Sequence, residues 1–98
     1  MKIFLNSRDI VHSMKVLLSS IAKNDIRLLM RIFNADKENK GDDFLESLKA
    51  SIDGILQTEN PHNRCEEILV STMPDFPVNI HYIFEDRENL LITAIFKT

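Results

Sequence analysis

Two stretches of alternating apolar residues near the C-terminus constrain the fold of this chain more than any other feature. Residues 76–84 carry Phe, Val, Ile, Tyr and Phe at every second position, and residues 90–96 repeat the pattern with Leu, Ile, Ala and Phe. A period of two is typical of a strand with one buried face. The polar residues 85–89 between the stretches indicate a hairpin loop, so the sequence predicts a β-hairpin. Because a lone hairpin is marginal in water, the rest of the chain must cover its apolar face.

The first third of the chain predicts one strand and two helical segments. Residues 2–5 form a short apolar run that we interpret as a strand. Ser7 is a suitable N-cap, and the apolar residues from 10 to 21 follow helical spacing. Residues 24 and 25 (Asn-Asp) interrupt this stripe, and residues 26–35 restart it.

The middle of the chain predicts another helix and another strand. After a charged connection at residues 36–41, Asp42 or Asp43 caps a helix whose apolar stripe runs from residue 44 to residue 56. Gly54 inside that stripe marks a place for close packing against a neighbour. Alternation within residues 66–72 indicates a strand. We therefore expect an α+β fold with an N-terminal strand and two to three helices on one face of a small, mostly antiparallel sheet of three or four strands.

This order of elements also predicts the core. Alternate hairpin residues should pack against the apolar stripes of the helices, because those are the faces that must leave water. The expected hairpin members are Phe76, Ile80, Tyr82, Phe84, Ile92 and Ala94, and the expected helix members are Leu17, Leu48, Ile52 and Ile55.

Composition limits the classes of function. The chain of 98 residues is the length of a single domain and carries 12 basic and 15 acidic side chains, a net charge of −3. This balance disfavours a protein whose main partner is nucleic acid, because a basic surface supplies most of such affinity. The one cysteine, Cys65, suits a reducing compartment, and no apolar run approaches the roughly 20 residues of a membrane span. We expect a cytoplasmic protein without a cofactor, and His12, His62 and Cys65 do not make up a metal site.

Motifs in the second half resemble the RelE/ParE superfamily of bacterial toxin–antitoxin toxins, in particular the ParE-like plasmid-stabilisation branch. The segment Phe-Leu-Glu-Ser-Leu-Lys at residues 44–49 is similar to the family's second helix, and Asn-Pro at residues 60–61 lies where the family has an Asn- and Pro-containing loop. Phe-Pro at 76–77 with Ile-His-Tyr at 80–82, followed by residues 93–96, is similar to the family's last two strands. The match is best over residues 43–98.

The resemblance implies a toxin that acts by protein–protein contact on DNA gyrase or another protein target and is neutralised by a cognate antitoxin. One alternative is a RelE-like, ribosome-dependent mRNA endonuclease, for which the candidate catalytic residues are His81, Tyr82, Arg64, Arg87 and Lys97. Such chemistry needs a base, a cation for the phosphate and an acid. The other alternative is a non-toxic binding module on the same scaffold, namely a degenerate toxin, an immunity protein or a phage protein.

Surplus apolar residues in the second helical segment predict a partner surface. Leu28 and Ile32 lie off its main stripe, so apolar side chains point in more than one direction. We expect a hydrophobic surface near Leu28, Ile32 and Phe33 that an antitoxin or a second copy of the chain covers.

Overall fold

A computed structural model describes residues 14–58 and 67–98 of the chain. These residues form β1 (Lys15–Leu18), α1 (Ser20–Asp36), α2 (Lys40–Thr58), β2 (Leu69–Thr72), β3 (Val78–Phe84) and β4 (Asn89–Lys97). The strands make one sheet in the order β1-β4-β3-β2, in which β1 is parallel to β4 and the other neighbours are antiparallel. The expected α+β class is confirmed, and the strand predicted at residues 2–5 lies outside the described residues.

Strand β1 occupies residues that the sequence predicts as helix. Its residues pair with Asn89–Ile92 of β4, and Leu17 shares the face of its register partner Leu91. Leu17 is 40% exposed, so its expected burial against the hairpin is wrong. Helix α1 begins only after Ser19, whose side-chain oxygen accepts a hydrogen bond of 2.9 Å from the backbone N–H of Ala22. The helix predicted up to residue 21 is therefore wrong from Lys15 to Ser19, because pairing with a distant strand outweighs local helical spacing.

The two helices approach each other closely where α1 leads into α2. The chain turns at Asn39, whose φ of 65° lies in the left-handed region that asparagine tolerates. The backbone N–H of Gly41 donates to Asn34 Oδ1 at 2.8 Å, and a Cβ on Gly41 would lie 2.7 Å from the carbonyl oxygen of Met30. The close packing expected at Gly54 is wrong, since a Cβ there would meet no atom within 4 Å.

A β-bulge changes the register of the terminal hairpin. Tyr82 pairs with Ile92 but its neighbour His81 pairs with Ala94, so Thr93 is the extra residue, and its hydroxyl donates to the carbonyl oxygen of His81 at 3.1 Å. Beyond the bulge Ile95 is buried, whereas Ala94 is only half-buried, so the expected burial of Ala94 is wrong. The predicted alternation is correct through β3, where Val78, Ile80, Tyr82 and Phe84 are all buried.

Helix packing covers one face of the sheet, and an aromatic cluster joins α1, α2 and the segment before β3. The rings of Phe33, Phe44 and Phe76 lie with their centroids 5.2, 5.0 and 5.6 Å apart. Phe76 precedes β3 and is half-buried, so its predicted strand position is wrong although it packs against the core. Leu48 and Ile55 are buried as expected, whereas the expected burial of Ile52 is wrong, since Ile52 is half-buried and packs against the core. Neither α1 nor α2, the helices of the described part, is long and apolar enough to cross a membrane.

Candidate functional site

An apolar face of α1 is exposed to solvent. Ile21, Leu28 and Ile32 are 61%, 45% and 48% exposed, and their spacing of seven and four residues places them on one side of the helix. Leu28 and Ile32 are thus at the surface, and their role in binding stays a prediction. The expected surface position of Phe33 is wrong: it is only 3% exposed, because it packs between Phe44 and Phe76.

Polar groups hold this helix along the second half of β4. Strand β1 ends opposite Ile92, and beyond that point the N–H of Ser19 donates to Ile92 O at 3.0 Å. The hydroxyl of Ser19 donates to Thr93 O at 2.7 Å, and Asp25 Oδ2 accepts from the N–H of Ile95 at 2.9 Å. These groups replace the missing strand neighbour and satisfy backbone groups that would otherwise be unpaired. The position of the apolar α1 face relative to β4 is therefore fixed by hydrogen bonds.

A pocket of about 340 Å³ continues this face where the C-terminal end of α1 meets the end of β4. It is lined by Ile32, Phe33, Asp36, Lys40, Pro77 and Lys97. Lys40 Nζ donates to Asp36 Oδ2 at 2.5 Å and lies 5.6 Å from the centroid of the Phe33 ring. Lys97 has no ion-pair partner among the described residues. With two lysines against one carboxylate, the pocket favours an anionic group.

The charge of the pocket is maintained at neutral pH. The hydrogen bond from Lys40 holds the pKa of Asp36 below its ordinary value of 3.8, and the positive charges of Lys40 and Lys97 act in the same direction. Asp36 is therefore ionised and forms an ion pair with Lys40. Lys97 remains available to bind a further anionic group.

The structure separates the candidate catalytic residues. His81 and Tyr82 are consecutive in β3 and face opposite sides of the sheet, and Tyr82 is buried on the helix side. Arg87 is exposed in the turn after β3, whereas Lys97 pairs with Val78 at the other end of that strand. A strand of this length separates its ends by roughly 20 Å. The candidates within residues 14–58 and 67–98 are thus divided between opposite faces or opposite ends of the sheet, and Arg64 falls outside those ranges.

His81 belongs to an apolar outer face of the sheet. The edge of its ring meets Phe96, with centroids 4.9 Å apart and planes at 85°. Its register partners on the two neighbouring strands are Val70 and Ala94. The imidazole therefore packs beside apolar side chains, and these neighbours supply neither a phosphate-binding cation nor an acid.

Sequence reasoning missed three residues that shape this region. Asp25 resembled a helix interruption, yet its side chain joins α1 to β4. The composition around Asp36 and Lys40 predicts a solvated connection, but these residues end α1 and begin α2. Their opposite charges at a four-residue spacing are the available signal, because the short turn between α1 and α2 brings the pair together.

Within residues 14–58 and 67–98, no group of three His, Cys, Asp or Glu side chains could hold a metal ion. His12, His62 and Cys65 lie outside these ranges. The described part of the site consists of apolar and charged side chains.

Comparison with solved structures finds a chain of similar architecture. The chain superimposes on one from the chromosomal ParDE toxin–antitoxin (TA) system of P. aeruginosa with a TM-score of 0.71, covering 89% of this chain and 98% of that chain. The chain has a ParE-like fold. The two sequences are 12% identical, so the likeness is one of fold and transfers no residue role. No family profile matches the sequence, and no curated protein matches it.

The motifs at residues 43–98 can be compared with the elements that the structure shows. The helix and the hairpin strands that carry those motifs are present as α2 and the β3–β4 pair, whereas Phe76 and Pro77 precede β3 and residues 60–61 lie outside the described residues. The likeness covers 89% of the chain, which is more than the residues 43–98 over which the motifs match best.

Proposed function

We propose that this chain is the toxin component of a type II toxin–antitoxin system, that it acts in the cytoplasm by protein–protein contact, and that a cognate antitoxin neutralises it. The observation that carries the proposal is the apolar α1 face on a ParE-like fold. Exposed apolar side chains grouped on one side of a helix are typical of a surface that a partner covers.

An amphipathic helix of the antitoxin is the occupant that this surface suits best. A helix presents apolar residues at intervals of three, four and seven, which match the positions of Ile21, Leu28 and Ile32. An acidic residue near the end of that helix would meet Lys97 in the adjoining pocket. The apolar face and the pocket then form one continuous contact.

The binding free energy that the three apolar side chains can supply is too small for a stable complex without the pocket. Each of the three α1 side chains is already about half covered, so complete burial contributes roughly 1 kcal/mol apiece. A micromolar complex requires about 8 kcal/mol, and association itself costs several kcal/mol. The antitoxin must therefore gain affinity beyond the apolar face, and a charged contact at Lys97 is the nearest source in the described structure.

DNA gyrase is the target that the ParE resemblance implies. Contact-based inhibition is supported by the separation of His81, Tyr82, Arg87 and Lys97, which leaves no catalytic group assembled among the described residues. A protein of this type inhibits through its surface, so its activity should depend on exposed residues and tolerate loss of the imidazole.

The partner surface can be tested with charge insertions and a matched control. Leu28→Glu and Ile32→Glu should each weaken the complex with the product of the neighbouring open reading frame at least tenfold, because a charge enters an apolar contact. Lys23→Gln makes the same change in net charge on the same helix but away from the apolar face, and it should bind as the wild type does. Pull-down and light scattering measure the complex, and thermal unfolding checks the fold.

The outcomes separate the hypotheses. Surface substitutions usually change stability by about 0.5 kcal/mol or less, so unfolding of both glutamate variants would place these residues in the core. Unchanged association in folded variants would remove the α1 face from the interface.

Growth inhibition on induction, relieved by co-expression of the neighbouring gene, tests the toxin assignment. A supercoiling assay with purified gyrase then tests the target, and cleavage of ribosome-bound message would support the endonuclease instead.

A further inference from the structure

A second groove lies on another part of the molecule, between α2 and the edge strand β2. Its volume is about 590 Å³, and it shares no lining residue with the pocket at Lys97. Strand β2 is at the end of the sheet order, and no described strand pairs with its outer side. The groove is therefore bordered by backbone groups that a further strand can use.

The lining residues show that the groove follows the outer edge of β2, with which no described strand pairs. Val70, Ser71 and Thr72 all border it. Consecutive strand residues point to opposite faces of a sheet, so a groove that reaches all three must run along the edge. In an antiparallel strand, every second residue directs its N–H and C=O away from the paired neighbour. An extended peptide lying in the groove would meet these groups.

The opposite wall of the groove consists mainly of small side chains. Ser47, Ala50, Ser51 and Gly54 of α2 line the groove, and their three- and four-residue spacing puts them on one helix face. A Cβ at Gly54 would meet no heavy atom within 4 Å, so there is free space above it. Small side chains leave room for a backbone to approach, which a wall of large residues would prevent.

Two further observations indicate which side chains a peptide bound in this groove would carry. Val70 is 54% exposed at the edge, so an apolar side chain of the occupant would find a partner there. Asp75 is the one charged residue among those that line the groove, and it is exposed. A basic side chain is therefore the electrostatic complement of this end of the groove.

From this arrangement we infer that an extended segment of another protein, with alternating apolar and basic residues, binds between α2 and β2 and extends the sheet by one strand. Backbone hydrogen bonds to β2 provide affinity, as in other cases of strand addition. The contact with Asp75 provides the preference for a segment with basic side chains. The four residues of β2 limit the paired length to roughly 13 Å. The inference does not depend on the toxin assignment, because this surface is separate from the α1 face.

A synthetic peptide provides the direct test. The probe is a seven-residue peptide of alternating valine and lysine with blocked ends, added to the isotope-labelled full chain. Amide shifts should change at residues 70–72 and along residues 47–54. The same peptide with alternate amides N-methylated should bind at least tenfold more weakly, because it cannot donate the ladder hydrogen bonds. Equal binding of the methylated peptide would overturn strand addition.

Variants of the chain identify the groove and its charge. Gly54→Phe should abolish binding by filling the groove, whereas Gly54→Ala should retain it. Asp75→Lys should reverse the preference, favouring a valine–glutamate peptide about fivefold, and Glu88→Lys in the exposed β3–β4 turn should leave the preference unchanged. Equal effects of the two lysine substitutions would overturn the role of Asp75. Self-association of the wild type that Gly54→Phe abolishes, without peptide binding, would assign the edge to a second copy and overturn the inference.

Discussion

The two glycines of the chain lie in opposite packing environments, since Gly41 is crowded by neighbouring atoms and Gly54 is not. Gly41 begins α2 against α1, where a Cβ would lie 2.7 Å from a backbone oxygen and 2.8 Å from Asn34 Nδ2. Gly54 lies within α2 beside open space. The sequence alone suggests a packing role for Gly54, because its position inside an apolar stripe is visible and the approach of Met30 to Gly41 is not.

Alanine substitutions should therefore change stability in opposite directions. Gly41→Ala should lower the free energy of unfolding by about 1–3 kcal/mol, because the backbone of α1 must move to admit the methyl group. Gly54→Ala should raise it by about 0.5–1 kcal/mol, since alanine favours the helical conformation and meets no obstacle. Urea unfolding of both variants measures the difference. A destabilised Gly54→Ala variant would contradict the open space above that residue.

The β3–β4 hairpin depends on a carboxylate in its turn. Asp86 Oδ1 accepts from the backbone N–H of Glu88 at 2.7 Å, and the side-chain amide of Asn89 donates to both of its oxygens at 3.1 and 3.0 Å. The hydrogen bond from Glu88, followed by that from Asn89, lowers the pKa of Asp86 below its ordinary value of 3.8. Glu88 O in turn accepts from the N–H of Lys15, so this turn also positions the start of β1.

The lowered pKa predicts an acid-dependent contribution from this turn. Because the folded pKa lies below the unfolded value, the contribution is fully present above about pH 4 and is lost as the pH falls through the folded pKa. Asp86→Asn should remove this part of the pH dependence while retaining an acceptor for the Glu88 N–H. A carboxyl titration by NMR and unfolding between pH 2 and 6 test it. A titration of Asp86 at or above 3.8 would contradict the hydrogen-bond assignment.

At the scale of the whole molecule, the helices cover one face of the sheet and leave the other to strand side chains. His81 and Phe96 lie on this outer face, whereas Tyr82 is buried beneath the helices. The described candidates for an endonuclease (His81, Tyr82, Arg87 and Lys97) are thereby distributed over two faces and two ends of the sheet. The proposed contact-based activity does not need them together.

His81→Ala should leave growth inhibition intact while the protein stays folded. The imidazole contacts Phe96 and has no described partner that would make it a general base, so its removal costs packing but no chemistry. Induction of the variant in cells, together with circular dichroism of the purified protein, measures both effects. Loss of inhibition in a folded variant would favour the endonuclease, and Phe96→Ala serves as the control for the lost ring contact.

The sequence by itself determined the elements whose signal is local. The two-residue period of β3 and the helical spacing from Phe44 to Leu56 predict a strand and a helix without reference to distant residues, and both are present. The burial of Phe84 and Leu48 follows from the same periods. The α+β class was predictable because these elements cannot bury their apolar faces separately.

Only the tertiary structure decided the features that depend on distant pairing. Residues 15–18 have apolar spacing that also fits a helix, and they become a strand because β4, more than 70 positions away, offers a parallel neighbour. The bulge at Thr93 moves burial from Ala94 to Ile95, and aromatic neighbours from α2 and from the segment before β3 bury Phe33. The α1 face, the pocket at Lys97 and the groove along β2 arise where such elements meet. Local periodicity specifies which side of an element is apolar, but the partner that covers it is set by contacts between residues far apart in the chain.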